Sequence, residues 1–519
     1  MDNNGNPGSP TSGTRSVGGS LRLRPRPMAD LPSDALQRIT ELAAEVRADD
    51  PRIDDLSPFG AGVCKGIGKG PCAWFGDTAE IPLMAQNPQI RFDYRLGWLA
   101  QDRDIVVIGG PHFRAFEDYQ RLWLNTPGLR YLNVDPDPVP PRSATPKVCL
   151  RDTIAFGKLC GALAGQDTVT LHAHLTTGTI WALAARLNHS TGAEVYVAGP
   201  PPLLSRRANN KIWFGHVAQR LLGTGATPPK RAAYSASALT RHVAELARDW
   251  DRLVVKVPDS AGSAGNFLVR SEDITGLKPA ALYRHLMRDL SVNGRPPVFP
   301  ILVEVWDANV LTSPSVQTWI PNHGEGPPVI EEVFEQVLQG EHVAFAGAVL
   351  ANLPPTIEVE LTGGALQLAS LFQQLGYYGR CSFDALVTGD NDKAGTVHWI
   401  ECNARWGGVS VPMSLVHRMT QDASDPRYAI VQNDSDTFRA LDFTDALLEF
   451  ADFAPPPDLR SGILFLSPNL MDSGTGCHFL AFGPDMNAAA ELARSAVQRL
   501  KGPWKSTPRV IALRMPPPA

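Results

Sequence analysis

Three polar side chains in the last third of the chain are spaced to hold a cation. In Thr396-Val397-His398-Trp399-Ile400-Glu401-Cys402-Asn403-Ala404-Arg405, strand alternation puts Glu401, Asn403 and Arg405 on one face and Cys402 and Ala404 on the other. Successive residues of one face stand about 6–7 Å apart, so a carboxylate, an amide and a guanidinium form a row. Upstream, Asp384 lies in the apolar run Cys381-Ser382-Phe383-Asp384-Ala385-Leu386-Val387, within reach as part of a neighbouring strand. Hard oxygen donors in this arrangement suit Mg²⁺ holding a polyphosphate, although a strand with one wetted face carries the same pattern. A second constellation is Leu253-Val254-Val255-Lys256-Val257-Pro258, followed by Asp259-Ser260-Ala261-Gly262-Ser263-Ala264-Gly265-Asn266 and the strand Phe267-Leu268-Val269. A small-residue loop between two strands can close over phosphates with its backbone N–H groups, and Lys256 at its base adds a point positive charge. An ordinary hairpin with an outward lysine is the alternative.

These groups need a scaffold, and the alternation of apolar runs supplies one. From about 56 to 205 the pattern is strand, turn, helix, repeated. Strands are expected at Ile105–Ile108, Tyr131–Val134, Val169–Leu175 and Glu194–Ala198, and helices around Phe113–Leu124, Thr153–Leu163 and Thr179–Leu187. This predicts an open, mostly parallel α/β sheet. Residues 1–32, rich in Asn, Gly, Ser and Pro, read as a disordered tail in which Arg22, Arg24 and Arg26 are solvated. Ser33 is expected to cap a helix with its apolar stripe at Leu36, Ile39, Leu42 and Val46. Later elements are a helix opened by Asn209-Asn210-Lys211, a strand Val298–Val305, a strand over 315–320, a helix Ala365–Leu375 and a short helix over 415–419. The segment 421–519, with a strand at 462–466 and a helix Ala488–Leu500, reads as a small α/β layer beside the rest. The resulting division is 1–32, 33–205, 206–420 and 421–519.

Composition narrows the class. A chain of 519 residues with net charge −5 and no basic block is a poor nucleic-acid binder. It has no run of eighteen apolar residues and no hydrophobic leader, so no membrane partner is expected. Its seven scattered cysteines, without a Cys-x-x-Cys pair, favour a reducing, cytoplasmic setting over a zinc ribbon or a disulfide framework. Gly60-Ala61-Gly62-Val63-Cys64-Lys65-Gly66-Ile67-Gly68-Lys69-Gly70 lacks the spacing of a phosphate-binding P-loop and its Ser or Thr, so a glycine-rich surface loop is expected. His172 and His174 share a strand face without an evident third ligand and read as structural. Cys381 and Cys402 face the core by parity, and no nucleophile elbow is present.

Taken in order, the lysine-opened helix, the Val255-Lys256-Val257 strand, the Gly/Ser loop, Glu304-Val305-Trp306-Asp307, the Asp384 strand and Glu401-x-Asn403-x-Arg405 resemble the ATP-grasp superfamily over about 206–420. Residues 56–205 are similar to the pre-ATP-grasp domain. Ser313-Pro314-Ser315-Val316-Gln317, with the long first domain, looks like the pheganomycin-type peptide ligases. The resemblance implies two α+β subdomains clamping ATP. Lys211 and Lys256 would meet the phosphates under Gly262, Ser263, Ala264 and Gly265. Glu304, with the Val305 and Trp306 backbone, would meet the adenine edge, and Asp307 could reach the ribose. Asp384, Glu401 and Asn403 would bind one or two Mg²⁺, with Mn²⁺ as a substitute, and Arg405 would steady the transferred phosphate. By parity Arg380 shares the Asp384 face, as a group orienting a substrate carboxylate or as a surface arginine.

The implied reaction joins a small-molecule carboxylate donor to an amino acid or peptide acceptor, in secondary-metabolite or peptide biosynthesis. It proceeds through an acyl phosphate with release of ADP and phosphate, in an enzyme that can be a homodimer. A thiol acceptor and a catalytically silent ATP-binding protein remain as alternatives. No enzyme nucleophile is required, because preorganised charge and positioning supply the catalysis.

Overall fold

A computed structural model describes residues 23–81, 92–137, 144–260, 265–291, 297–339, 344–389, 395–420, 427–433, 443–456, 460–468 and 477–501. The first sheet contains β1 (Val63–Lys65), β2 (Cys72–Phe75), β3 (Ile105–Gly109), β4 (Arg130–Asp135), β5 (Thr168–Ala173) and β6 (Glu194–Val197). Its order is β1-β6-β5-β2-β3-β4, with every pair parallel. The run Ile-Val-Val-Ile-Gly of β3 is buried throughout, as expected for a strand covered by helices on both faces. Asp152 and Thr177 accept backbone N–H hydrogen bonds at the starts of helices Thr153–Ala162 and Gly178–Thr191, which fixes where those helices begin. The segment Gly60–Gly70 is not a free surface loop. Gly68 N–H donates to Thr170 Oγ1 at 2.9 Å, and a Cβ on Gly70 would lie 1.6 Å from the Thr168 carbonyl oxygen. Glycine is needed there for close approach to β5 and β6.

The second sheet contains β7 (Lys230–Ala233), β8 (Arg252–Lys256), β9 (Asn266–Arg270) and β10 (Ile301–Val305), in the order β7-β10-β8-β9. The third contains β11 (Val310–Thr312), β12 (Pro314–Ile320), β13 (Val329–Gln339), β14 (Ala344–Leu350), β15 (Gly379–Thr388), β16 (Thr396–Asn403), β17 (Arg427–Asn433), β18 (Gly462–Phe465) and β19 (Cys477–Gly483). It runs β11-β15-β12-β13-β14-β17-β19-β18, and β16 pairs with β15. Strands of the C-terminal segment therefore extend this sheet through the β14–β17 pair. Open N–H and C=O groups along β14 are satisfied by β17, which explains why an apolar strand from the last hundred residues joins there.

Two expectations about the start of the chain are corrected. Pro32, in extended conformation, is the residue before helix Ser33–Asp49, and Ser33 is its first helical residue rather than its cap. Residues 23–32 are not a free tail: Arg26 N–H donates to the Ile330 carbonyl at 2.9 Å, its guanidinium pairs with Glu332 and Glu358, and Arg24 donates to Thr420 Oγ1 at 2.7 Å. Helix Ser33–Asp49 buries Ile39, Leu42 and Val46 against Phe214, Leu221, Leu368 and Phe372, in the core behind β15 and β16. It thus belongs with the third sheet and not with the first. No described helix is long and apolar enough to cross a membrane.

Candidate functional site

The cleft between the second and third sheets is a pocket of about 780 Å³. Lys211, Lys256, Glu304, Asp307, Asp384 and Glu401 are among its lining residues, with Val305 and Trp306. Asp384 and Glu401 are direct cross-strand partners on β15 and β16, and Ser382 faces Asn403 two pairs further on, so these polar groups share one face as parity required. Cys381 and Cys402 lie in the core behind. The register shifts between Asp384 and Ala385, so that Ala385 faces Trp399 and Leu386 faces His398. The extra residue, Ile400, restores Trp399 to the core and turns His398 to the pocket face. Uninterrupted alternation would instead place Trp399 beside Glu401.

Asp384 Oδ1 accepts from Ser315 Oγ at 2.6 Å, and its Oδ2 accepts from Asn403 Nδ2 at 2.9 Å. Glu401 pairs with Lys211 Nζ at 2.7 Å. Burial, and then the charge of Glu401, push the Asp384 carboxyl up to about 7. For Glu401, burial acts upward but is outweighed by the charge and hydrogen bond of Lys211 with Arg405 and Lys256, so it is held below the usual range. Two carboxylates are thus forced together at a desolvated place where one resists ionisation, and this is the electrostatic signature of a site that suits a dication. Among the described residues no group of three or more His, Cys, Asp or Glu side chains could hold a metal. The two carboxylates suit Mg²⁺, whereas Asn403 turns its amide NH₂ toward both of them and its carbonyl toward Arg405, so it joins that donor set only with its amide reversed.

Lys211 is set by its helix. Asn210 caps Lys211–Leu222, accepting from Ile212 and Trp213 N–H, and Lys211 Nζ also donates to the Ser260 carbonyl at 2.7 Å. Lys211 therefore ties the start of the loop after β8 to the metal-type face. Gly262, Ser263 and Ala264 lie outside the described residues. At Gly265, whose carbonyl accepts from Val257 N–H at 2.9 Å, a Cβ would meet Ser260 Oγ at 2.3 Å, so only glycine closes the loop there.

Lys256 and Glu304 are buried and form a short ion pair, while Lys230 Nζ stands 3.9 Å from the other Glu304 oxygen. Burial first, and then the Lys256 charge against the Glu304 attraction, draw the Lys230 pKa down to about 8. Val305 and Trp306 N–H groups donate to the Pro229 and Arg252 carbonyls, so these two donors are already committed and a base edge must use other backbone groups there. Asp307 Oδ2 lies 2.7 Å from His398 Nδ1. Lys230, Ser315 and His398 were missed from sequence. Lys230 had no motif, and His398 was masked by the bulge.

Arg405 follows β16 and donates to Asn403 Oδ1 and, at 2.5 Å, to Asn209 Oδ1. Asn209 also accepts from Ala404 N–H at 3.1 Å. The position of Asn209, next to a lysine-opened helix, was the only available signal for it. Arg380 does share the Asp384 face, but four residues away, about 13 Å along the strand. There it is fully enclosed and pairs with Glu331, its guanidinium 5.5 and 5.1 Å from the Trp319 and Trp406 rings. Burial draws its pKa down to about 9. It is neither a surface arginine nor a residue of the pocket wall.

Comparison with known proteins agrees with this architecture. Residues 93–189 match the model of the Pre ATP-grasp domain. Curated protein sequences gave no match. Among solved structures, biotin carboxylase from Campylobacter jejuni in a complex with an ATP ligand aligns at 13% identity and TM-score 0.50, covering 86% of this chain and 92% of that one. The biotin carboxylase domain of Hydrogenobacter thermophilus 2-oxoglutarate carboxylase, solved as a dimer with MgADP, ADP and bicarbonate, aligns at 12% identity and TM-score 0.50, covering 82% and 89%. A parallel α/β sheet over the matched domain, followed by two sheets closing on a lysine- and carboxylate-lined pocket, makes this chain a protein of the ATP-grasp fold carrying a pre-ATP-grasp domain.

Proposed function

We propose that this protein is an ATP-dependent carboxylate–amine ligase, similar to the pheganomycin-type peptide ligases. It forms a peptide bond through an acyl phosphate and releases ADP and phosphate. The observation that carries this reading is the strand face on which Asp384 and Glu401, in the pocket lining with Lys211 and Lys256, meet Lys211 and Asn403, with Arg405 at the end of the row. The two structural neighbours were solved with ATP or MgADP ligands, which supports ATP and Mg²⁺ here.

In this reading Glu304 and the backbone carbonyls at Val305 and Trp306 receive the adenine amino group, and Asp307 receives a ribose hydroxyl. Lys256 and Lys211 hold the phosphates, and Arg405 holds the transferred phosphoryl group beside the donor carboxylate. Asp384, Glu401 and Asn403 would hold a Mg²⁺ ion, or Mn²⁺ in its place, whose charge would offset that of the polyphosphate. A carboxylate oxygen of the donor attacks the terminal phosphorus, the bond to ADP breaks, and the acyl phosphate carries a leaving group that an amine can displace. Holding the reactants in line accounts for on the order of 7–11 kcal/mol of such catalysis.

Purified protein with Mg²⁺, ATP, a pool of carboxylic acids and the amino acids should release ADP and phosphate in proportion to amide formed. Release of AMP and pyrophosphate refutes the mechanism.

A further inference from the structure

Glu304 stands between lysines from both neighbouring strands. In the antiparallel register it faces Lys230 on β7 directly, while Lys256 on β8 faces Leu302, two residues back on the same strand face. Directly opposed and diagonal side chains of one sheet face meet, so two ammonium groups converge on one carboxylate. They do not share it equally. Lys256 Nζ donates to Glu304 Oε1, whereas Lys230 Nζ stops 3.9 Å from Oε2, beyond hydrogen-bond reach. Lys230 Nζ and Glu304 Oε2 are both enclosed, and among the described residues neither has a hydrogen-bond partner. Lys256 and Glu304 line the pocket, and Lys230 is outside its lining.

The Lys230 ammonium has a seat of its own. Helix Lys211–Leu222 meets it with Gly215, where a Cβ would lie 2.0 Å from Nζ and 2.6 Å from Cε. Glycine inside a helix is less stable than alanine, and here it leaves the room that alanine would fill. The helix that opens with Lys211 is thus cut away around a second lysine, which waits one step from a carboxylate oxygen left open.

A lysine bound to a buried carboxylate is poorly placed to hold phosphates, because turning its charge away strands the carboxylate. We propose that Lys230 is a positioning residue that removes this conflict: when Lys256 turns to the phosphates of a bound nucleotide, the Lys230 ammonium closes on Glu304 and holds it as an acceptor for the base. The assignment rests on the nucleotide reading above. In both states Glu304 keeps one ammonium, and the second positive charge passes to the polyphosphate. The charges acting on Lys230 are Glu304 from β10 and Lys256 from β8. Burial, then the attraction of Glu304 against the repulsion of Lys256, leave its pKa at about 8 in the free protein. With Lys256 turned away the repulsion falls and the attraction is undivided, so the amine becomes more basic and nucleotide binding near pH 8 takes up a proton.

Calorimetric titration of the full chain with MgATP at pH 8, in HEPES and in Tris, reads affinity and proton uptake together, because the two buffers differ in ionisation enthalpy. A group of pKa about 8 is half protonated there, so wild-type protein should take up about half a proton more than Lys230→Met. Lys230→Met should weaken MgATP binding about tenfold in the wild-type background and less than twofold in a Glu304→Gln background, where a neutral amide needs no counter-ion. Lys230→Gln, which keeps a donor toward Glu304 and should also lose the proton uptake, covers a methionine variant that does not fold. Equal loss of affinity in both backgrounds, unchanged affinity in Lys230→Met, or proton uptake that the substitutions leave in place overturns the assignment alone. Wild-type protein that fails to bind MgATP overturns the nucleotide reading and this assignment with it.

Discussion

Replacing Asp384 by asparagine should stabilise the metal-free protein at pH 8 and abolish its response to Mg²⁺ and ATP. In the fold, burial and the Glu401 charge raise the Asp384 carboxyl from 3.8 to about 7. A raised carboxyl pKa means that the folded chain binds more protons than the unfolded chain between those values. Stability therefore falls as pH rises through that window, and the whole penalty is present above it. The full displacement corresponds to ~4 kcal/mol. Asp384 borders the open pocket, where water screens its charge, so about half of that, ~2 kcal/mol, is expected. Asparagine keeps the shape and can still accept from Ser315 Oγ. Urea midpoints of both proteins in a chelator, at pH 5 and pH 8, measure the effect. The variant should gain the full amount at pH 8 and only about a third of it at pH 5, where the folded carboxyl is protonated and the unfolded one is not. Equal destabilisation at both pH values would refute the electrostatic account of the site. Added Mg²⁺ and ATP should raise the wild-type midpoint and leave that of the variant in place.

Other perturbations test neighbouring contacts. Lys256→Met removes the partner of buried Glu304 and the phosphate contact proposed for it, and should weaken ATP binding at least tenfold by calorimetry. Asn209→Ala frees Arg405 from one of its two anchors. It should lower kcat about tenfold, a loss of ~1.4 kcal/mol in the transition state, with ATP affinity unchanged. Glu331→Gln leaves the enclosed Arg380 charge without its counter-ion and should cost about 3–5 kcal/mol in urea unfolding, whereas methionine at both positions should recover most of it. If that double variant retains ADP release, Arg380 serves the fold rather than the chemistry.

The face that carries Glu401 and Asn403 was legible because a strand alternates whatever it pairs with. What lies below Glu401 was not, because the bulge at Ile400 exists only relative to β15. Lys256 was conspicuous in an apolar strand, yet its partner Glu304 is forty-eight residues away and comes into place only when β10 lies beside β8. Helical periodicity located Ser33–Asp49 but gave no hint that its apolar stripe belongs behind the third sheet. β13 went unread because its glutamates at 331, 332 and 335 break the alternation. Glu331 is buried with Arg380, and Glu335 accepts from Ser313 N–H at 3.0 Å. Arg380 shows the limit of parity: it gives the face correctly but not the distance along the strand or the ion that meets the side chain.

The pairing of β17 with β14 also has a consequence for synthesis. Every residue placed in the pocket precedes residue 402, and Asn403 and Arg405 follow at once, yet the sheet beneath them is finished only when β17–β19 emerge. Arg95 must then find Gln432, and Trp98 must find the Leu466 carbonyl, contacts separated by 337 and 368 positions. Such long-range closure slows folding. A ribosome that stopped at residue 420 would release a chain with every residue named above for the pocket and a bare β14 edge, a template for aggregation.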